Sequence, residues 1–150
     1  MDYTDLYIDG EWRKTDERFD VINPATEEVL ASVASADLAD ADVALDAAER
    51  AMSDWAARKP RERAEVLRKA WELMTARLDH FAHLITLENG KAGTDAKGEA
   101  TYAAEFFRWF SEEAVRADGL ITHAPASGAR IVVQHKPAGI AVLVTPWNYP

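Results

Sequence analysis

The chain has 150 residues, 48% hydrophobic and 29% charged, the composition of a folded globular protein rather than a disordered tail. Its formal net charge of −9 repels phosphate backbones and anionic bilayers, which argues against nucleic acid and membrane surfaces as partners. No cysteine is present, so a disulfide, a thiolate metal site and a thiolate nucleophile are all excluded within these residues.

The opening stretch "MDYTDLYIDGEWRK" carries acids where a secretory leader carries Lys or Arg. No apolar run approaches membrane-spanning length either, and a cytoplasmic protein is expected. Within that stretch, Asp9-Gly10 between strand-like flanks predicts a tight hairpin. "FDVINPATEEVLASV" follows, alternating at Phe19, Val21, Val29, Ala31 and Val33 and broken by a turn at Asn23-Pro24.

Four helices come next. Asp40 is the expected N-cap of the first, with Ala44, Ala47, Ala48, Ala51, Met52 and Trp55 recurring at helical spacing. Lys59-Pro60 ends it and starts a second, Pro60 taking the first helical position and Leu67, Ala70, Trp71, Met74 and Leu78 forming the stripe. Asp79 is expected to cap a short third helix with Phe81, Leu84 and Ile85 inward, stopped by Asn89-Gly90. Thr94 opens a long fourth helix, closed by Gly119, whose face at Ala103, Phe106, Phe107, Phe110 and Ala114 is very apolar. "HAPASGA" reads as a loop, and "RIVVQHKPAGIAVLV" as two strands joined at Pro137-Ala138-Gly139. The first alternates as a one-sided strand does, and the second is continuously apolar, as a strand buried on both faces is. Four wide apolar helix faces with one core strand to receive them suggest the front part of a larger protein.

Few side chains suggest chemistry. His80 and His83 lie three apart on a helix, but no further ligand joins them at metal spacing, so a solvated face is the preferred reading and no metal site is expected. Glycine-rich phosphate cradles are absent. Glu88 to Lys91, "ENGK", is explained equally well by a functional role and by a helix stop with a charged exit. The aromatic set Tyr102, Phe106, Phe107, Trp109 and Phe110 is read as core rather than pocket. "TPWNYP" stands apart: a buried strand delivers it, two prolines stiffen it, and open α/β sheets bind ligands beyond the carboxyl ends of their strands. Sequence physics leaves a ligand site and an ordinary turn both open there.

The segments "YIDGEW", "INPATEEVL", "ERAEVLRKA", "TLENGK" and above all "KPAGIAVLVTPWNYP" resemble the amino-terminal part of the NAD(P)-dependent aldehyde dehydrogenase superfamily, over nearly the whole chain. "TLENGK" with the fourth helix is most similar to succinate-semialdehyde dehydrogenases. Three departures stand out: Tyr149 where the family has Phe, Lys59-Pro60 where relatives often place a Ser cap, and Glu27 where Gly is common.

The resemblance implies an α/β, Rossmann-like fold: a β-hairpin and strands, four helices, an arm strand and a first core strand. It divides the chain into residues 1–126, strands and helices of the cofactor-binding domain; 127–138, an arm for oligomerisation; and 139–150, the first buried strand and an oxyanion loop. It implies oxidation of an aldehyde, succinate semialdehyde being the favoured one, to its carboxylate with NAD or NADP through a downstream Cys and Glu. Asn148 is implied as the oxyanion donor, and Val144, Thr145, Pro146, Trp147 and Asn148 border the cofactor. A homodimer or homotetramer through Arg130 to Lys136 is implied as well. The rivals are another aliphatic or amino aldehyde as substrate, or a non-catalytic module if the gene ends at residue 150.

Overall fold

The computed structural model describes residues 3–150. It opens with β1 (Leu6–Ile8) and β2 (Glu11–Arg13), an antiparallel hairpin in register Leu6↔Arg13 and Ile8↔Glu11. Its two-residue loop is the expected Asp9-Gly10, both at positive φ (55° and 82°), the handedness that matches strand twist. A second ribbon pairs β3 (Arg18–Ile22) with β4 (Val29–Ala34), Phe19 opposite Val33 and a bulge at Val21/Ile22. The turn between them is built on Asn23, whose Oδ1 accepts from the Ala25 N–H at 2.9 Å while its backbone N–H donates to the Glu28 carbonyl at 2.9 Å. Arg18 ties the two ribbons together, donating to Asp5 at 2.8 Å, the Thr4 carbonyl at 3.1 Å and the Ser32 carbonyl at 2.8 Å.

Helix α1 (Leu38–Ala57) starts one turn earlier than expected. Asp37 is its N-cap, accepting from the Asp40 N–H at 2.9 Å, and Asp40 is the other half of the capping box, accepting from the Asp37 N–H at 3.2 Å. Helix α2 (Pro60–Thr75) begins at Pro60 without a Ser cap, because Glu62 reaches back to the Lys59 N–H at 3.1 Å. Helix α3 (Leu78–Asn89) has Arg77 rather than Asp79 at its N-cap, with Asp79 in the first turn. It stops where expected: Gly90 takes the left-handed conformation (φ 75°) and its N–H bonds to the Thr86 carbonyl at 2.9 Å. Helix α4 (Gly93–Glu113) packs against both α2 and α3.

Which face of α4 is buried differs from the sequence reading. Ala96, Ala100 and Ala104, spaced by four, are 0–4% exposed and form the contact ridge. The aromatic set is outward, Tyr102 and Trp109 at 63%, so it is not core among the described residues. Small side chains allow the helix axes to approach closely, and the bulky face is left for something else. The remaining buried hydrophobics are Ile8, Ala47, Ala64 and Ala82, again almost all alanine.

After α4 comes β5 (Leu120–His123), a strand not foreseen in the sequence pattern, antiparallel to β6 (Arg130–Val133), which forms within the strand expected from Arg130 to Lys136; every residue of this ribbon is exposed. The apolar strand expected over 139–144 is not formed. Ile140, Val142, Leu143 and Val144 are 43–87% exposed and take part in no ladder among the described residues. A strand exists only by pairing, and no neighbour is available here to supply N–H and C=O groups.

Candidate functional site

The stretch Val144–Asn148 ends in a short turn in which the Tyr149 N–H donates to the Pro146 carbonyl at 3.0 Å. Its side chains are open to solvent, Val144 at 87% and Trp147 at 83%. Its backbone is held. The Asn89 Nδ2 donates to the Trp147 carbonyl at 2.7 Å, and the Lys91 Nζ donates to the Asn148 carbonyl at 2.9 Å. Lys91 also lies 4.3 Å from the centroid of the Tyr149 ring, a cation–π contact. The Asn148 side-chain amide is exposed and hydrogen-bonds to no described residue, so it is free to serve a ligand.

Two elements position these anchors. Asn89 is the last residue of α3 and Lys91 follows the left-handed Gly90, so the reversal of the chain lets both reach the loop. From α4 comes Glu99, which pairs with the Lys91 ammonium through Oε2. Glu99 is only 8% exposed, sits beside the fully buried Ala96 and Ala100, and its Oε1 has no partner. This pair is far more enclosed than surface pairs such as Arg50–Asp9, so removing one partner alone would leave an uncompensated buried charge. Sequence reasoning left "ENGK" undecided, and Glu99 drew no attention at all. An acid on an otherwise small-residue ridge (Ala96, Ala100, Ala104) was the available signal.

Beside the loop lies a cavity of about 460 Å³, lined mainly by apolar side chains from α3 and α4, with Val21, Trp147 and Pro150 on its rim. Of the residues expected to border a cofactor, Trp147 lines this cavity, whereas Val144, Thr145, Pro146 and Asn148 do not. His80 and His83 are not part of it, and among the described residues no cluster of three or more His, Asp or Glu suits a metal. No helix among the described residues is long and apolar enough to cross a membrane.

The aldehyde dehydrogenase family model matches residues 12–150, and the chain belongs to that family. Among curated relatives it is 52% identical over 122 residues to a succinate-semialdehyde dehydrogenase of Paenarthrobacter nicotinovorans, covering 81% of this chain and 27% of that protein. A glutarate-semialdehyde dehydrogenase of Pseudomonas aeruginosa is 40% identical, with 96% of this chain and 30% of that protein covered. Among solved structures, an E. coli NADP-dependent enzyme superposes with a TM-score of 0.91 at 40% identity, covering 98% of this chain and 31% of that one. The chain thus spans under a third of the length of these proteins, matching their amino-terminal part.

Proposed function

We propose that the protein of which these residues form the amino-terminal part oxidises a carboxylate-bearing aldehyde, succinate semialdehyde first among them, to the diacid with NAD or NADP. The observation that carries this reading is the Trp147-Asn148 turn: backbone tethered on both sides, side-chain amide free. A side-chain amide carried on a backbone fixed in this way is suited to an oxygen that gains negative charge during acyl chemistry. The thiolate and the general base come from outside these 150 residues, which contain no Cys. Val144 and Trp147 present bare apolar surface, which fits the flat face of a nicotinamide ring, and Val144–Asn148 would border it. When bound, that cofactor supplies the hydride acceptor. Asn148's part is to donate to the substrate oxygen, and the backbone of 147–149 keeps that donor in place.

The test is Asn148→Ala in the full-length enzyme, with stopped-flow hydride transfer at saturating cofactor read beside a thermal melt. Loss of one oxyanion donor costs about 100- to 1,000-fold in kcat, with cofactor affinity and melting nearly unchanged. Hydride transfer within about threefold of wild type would overturn the oxyanion role. If Asn148 only shapes a turn, melting temperature and cofactor binding fall together while turnover is largely kept.

For the substrate, kcat/KM should be higher for succinate semialdehyde than for butanal, because a cation for the substrate carboxylate, supplied from outside these residues, would discriminate between them. Equal values would remove the semialdehyde assignment. The glutarate-semialdehyde relative makes the one-methylene-longer aldehyde the second substrate to compare. The exposed β5–β6 ribbon, with Ile121 at 68% and Val132 at 55%, supports an arm that crosses to a second subunit.

A further inference from the structure

The two carbonyls anchored beside Asn148 are those of Trp147 and Asn148 itself. The first sets the peptide plane that precedes the Asn148 Cα, and the second sets the plane that follows it. Holding both planes fixes φ and ψ of Asn148 and leaves only its side-chain torsions free. The donors come from residues 57 and 58 positions upstream, so the turn's own sequence does not supply this restraint. Lys91 is itself immobilised. Its ammonium is shared among the Asn148 carbonyl, the Glu99 carboxylate and the face of Tyr149, and its side chain is 18% exposed. Glu99, with 7% side-chain exposure, is in turn locked between α4 and the loop after α3. An exposed lysine would sample many rotamers and hold nothing in place.

We infer that Asn89, Lys91 and Glu99 are positioning residues for the Asn148 amide: a clamp that acts on the reaction through the backbone of 147–149 without touching substrate. This inference rests on the proposed oxyanion role of Asn148. It assigns "ENGK" a task beyond stopping a helix, and it gives the buried Glu99 a reason to be charged. A neutral residue at 99 would leave the ammonium free to swing toward solvent.

A double-mutant cycle in the full-length holoenzyme tests it, with single-turnover hydride transfer as the readout. Lys91→Met is combined with Glu99→Gln, so that no unpaired charge is left buried. In the wild-type background the pair should slow hydride transfer by about 10- to 100-fold, the effect of a misplaced catalytic group, with cofactor affinity and melting temperature close to wild type. In the Asn148→Ala background the same pair should cost less than about threefold, since residues acting through one group are not additive. A full, additive loss in both backgrounds, or no loss in either while Asn148→Ala alone is slow, would overturn the clamp and leave the oxyanion role standing. Fast hydride transfer in Asn148→Ala alone would overturn both. Should the Lys91/Glu99 variant melt early, Asn89→Ala carries the cycle under the same criteria, because it removes one anchor and no buried charge.

Discussion

Gly90→Ala perturbs the point where three features meet: the stop of α3, the Asn23-Pro24 turn, and the two anchors Asn89 and Lys91. Gly90 has φ 75°, and a Cβ placed there would lie 3.0 Å from the Pro24 Cγ. Forcing an L-residue into the left-handed region costs roughly 1–2 kcal/mol, and stiffening the unfolded chain returns about 0.4–1 kcal/mol of that. The contact with Pro24 requires the ring to yield by a few tenths of an ångström. Pro24 is exposed on its turn, so this adds at most about 1 kcal/mol, the low end of overpacking costs. A net loss of about 1–2 kcal/mol is expected, read as a shift of the urea midpoint at constant m-value. Gly90→Asn should lose less, since Asn tolerates this backbone conformation. Pairing Gly90→Ala with Pro24→Ala should recover only the steric part. Because the reversal at Gly90 aims Asn89 and Lys91, hydride transfer should slow along with the stability loss. A Gly90→Ala enzyme whose midpoint and turnover both match wild type would refute the reasoning at its base.

Glu27 holds φ 60° in the Asn23 turn, so Glu27→Gly should raise stability by up to about 1 kcal/mol, the relief of left-handed strain less the entropy cost of glycine. A lower urea midpoint would show that the Glu27 side chain contributes more than its backbone costs. In β6, consecutive N–H groups point to opposite edges of the strand, so Pro at Val132 and Pro at Val133 between them remove one β5 bond and one outward donor. One of the two variants should shift the full-length protein toward smaller species, and unchanged light scattering for both would count against an arm. Residues 1–150 expressed alone should associate and bind a hydrophobic dye, because Trp55, Phe110 and Val144 are 41%, 53% and 87% exposed. A dye-negative monomer with a cooperative melt would show that these faces need no further cover.

Backbone punctuation was legible in the amino-acid order because it is set within a few residues. Asp9-Gly10 makes its primed turn, Pro60 opens α2 and Gly90 closes α3 wherever the rest of the chain lies. Where a local signal was shared by two acids, it was misplaced by one turn: Asp37 and Asp40 are halves of one capping box, and only the geometry shows which is the cap. The Trp-Asn turn stood out through its prolines and its family resemblance, both carried by the residues themselves. Other features depended on partners distant in sequence. The face that α4 buries was decided by α2 and α3, which accept an alanine ridge more closely than an aromatic one. The 139–144 segment has strand-like residues, but a ladder is a property of two chains segments and not of one. The hold of Asn89 and Lys91 on the turn spans more than fifty residues, and hydrogen bonds of that reach leave no periodicity to read. Local conformation was therefore written in the sequence, whereas burial, strand pairing and the clamp arose only once the helices had packed.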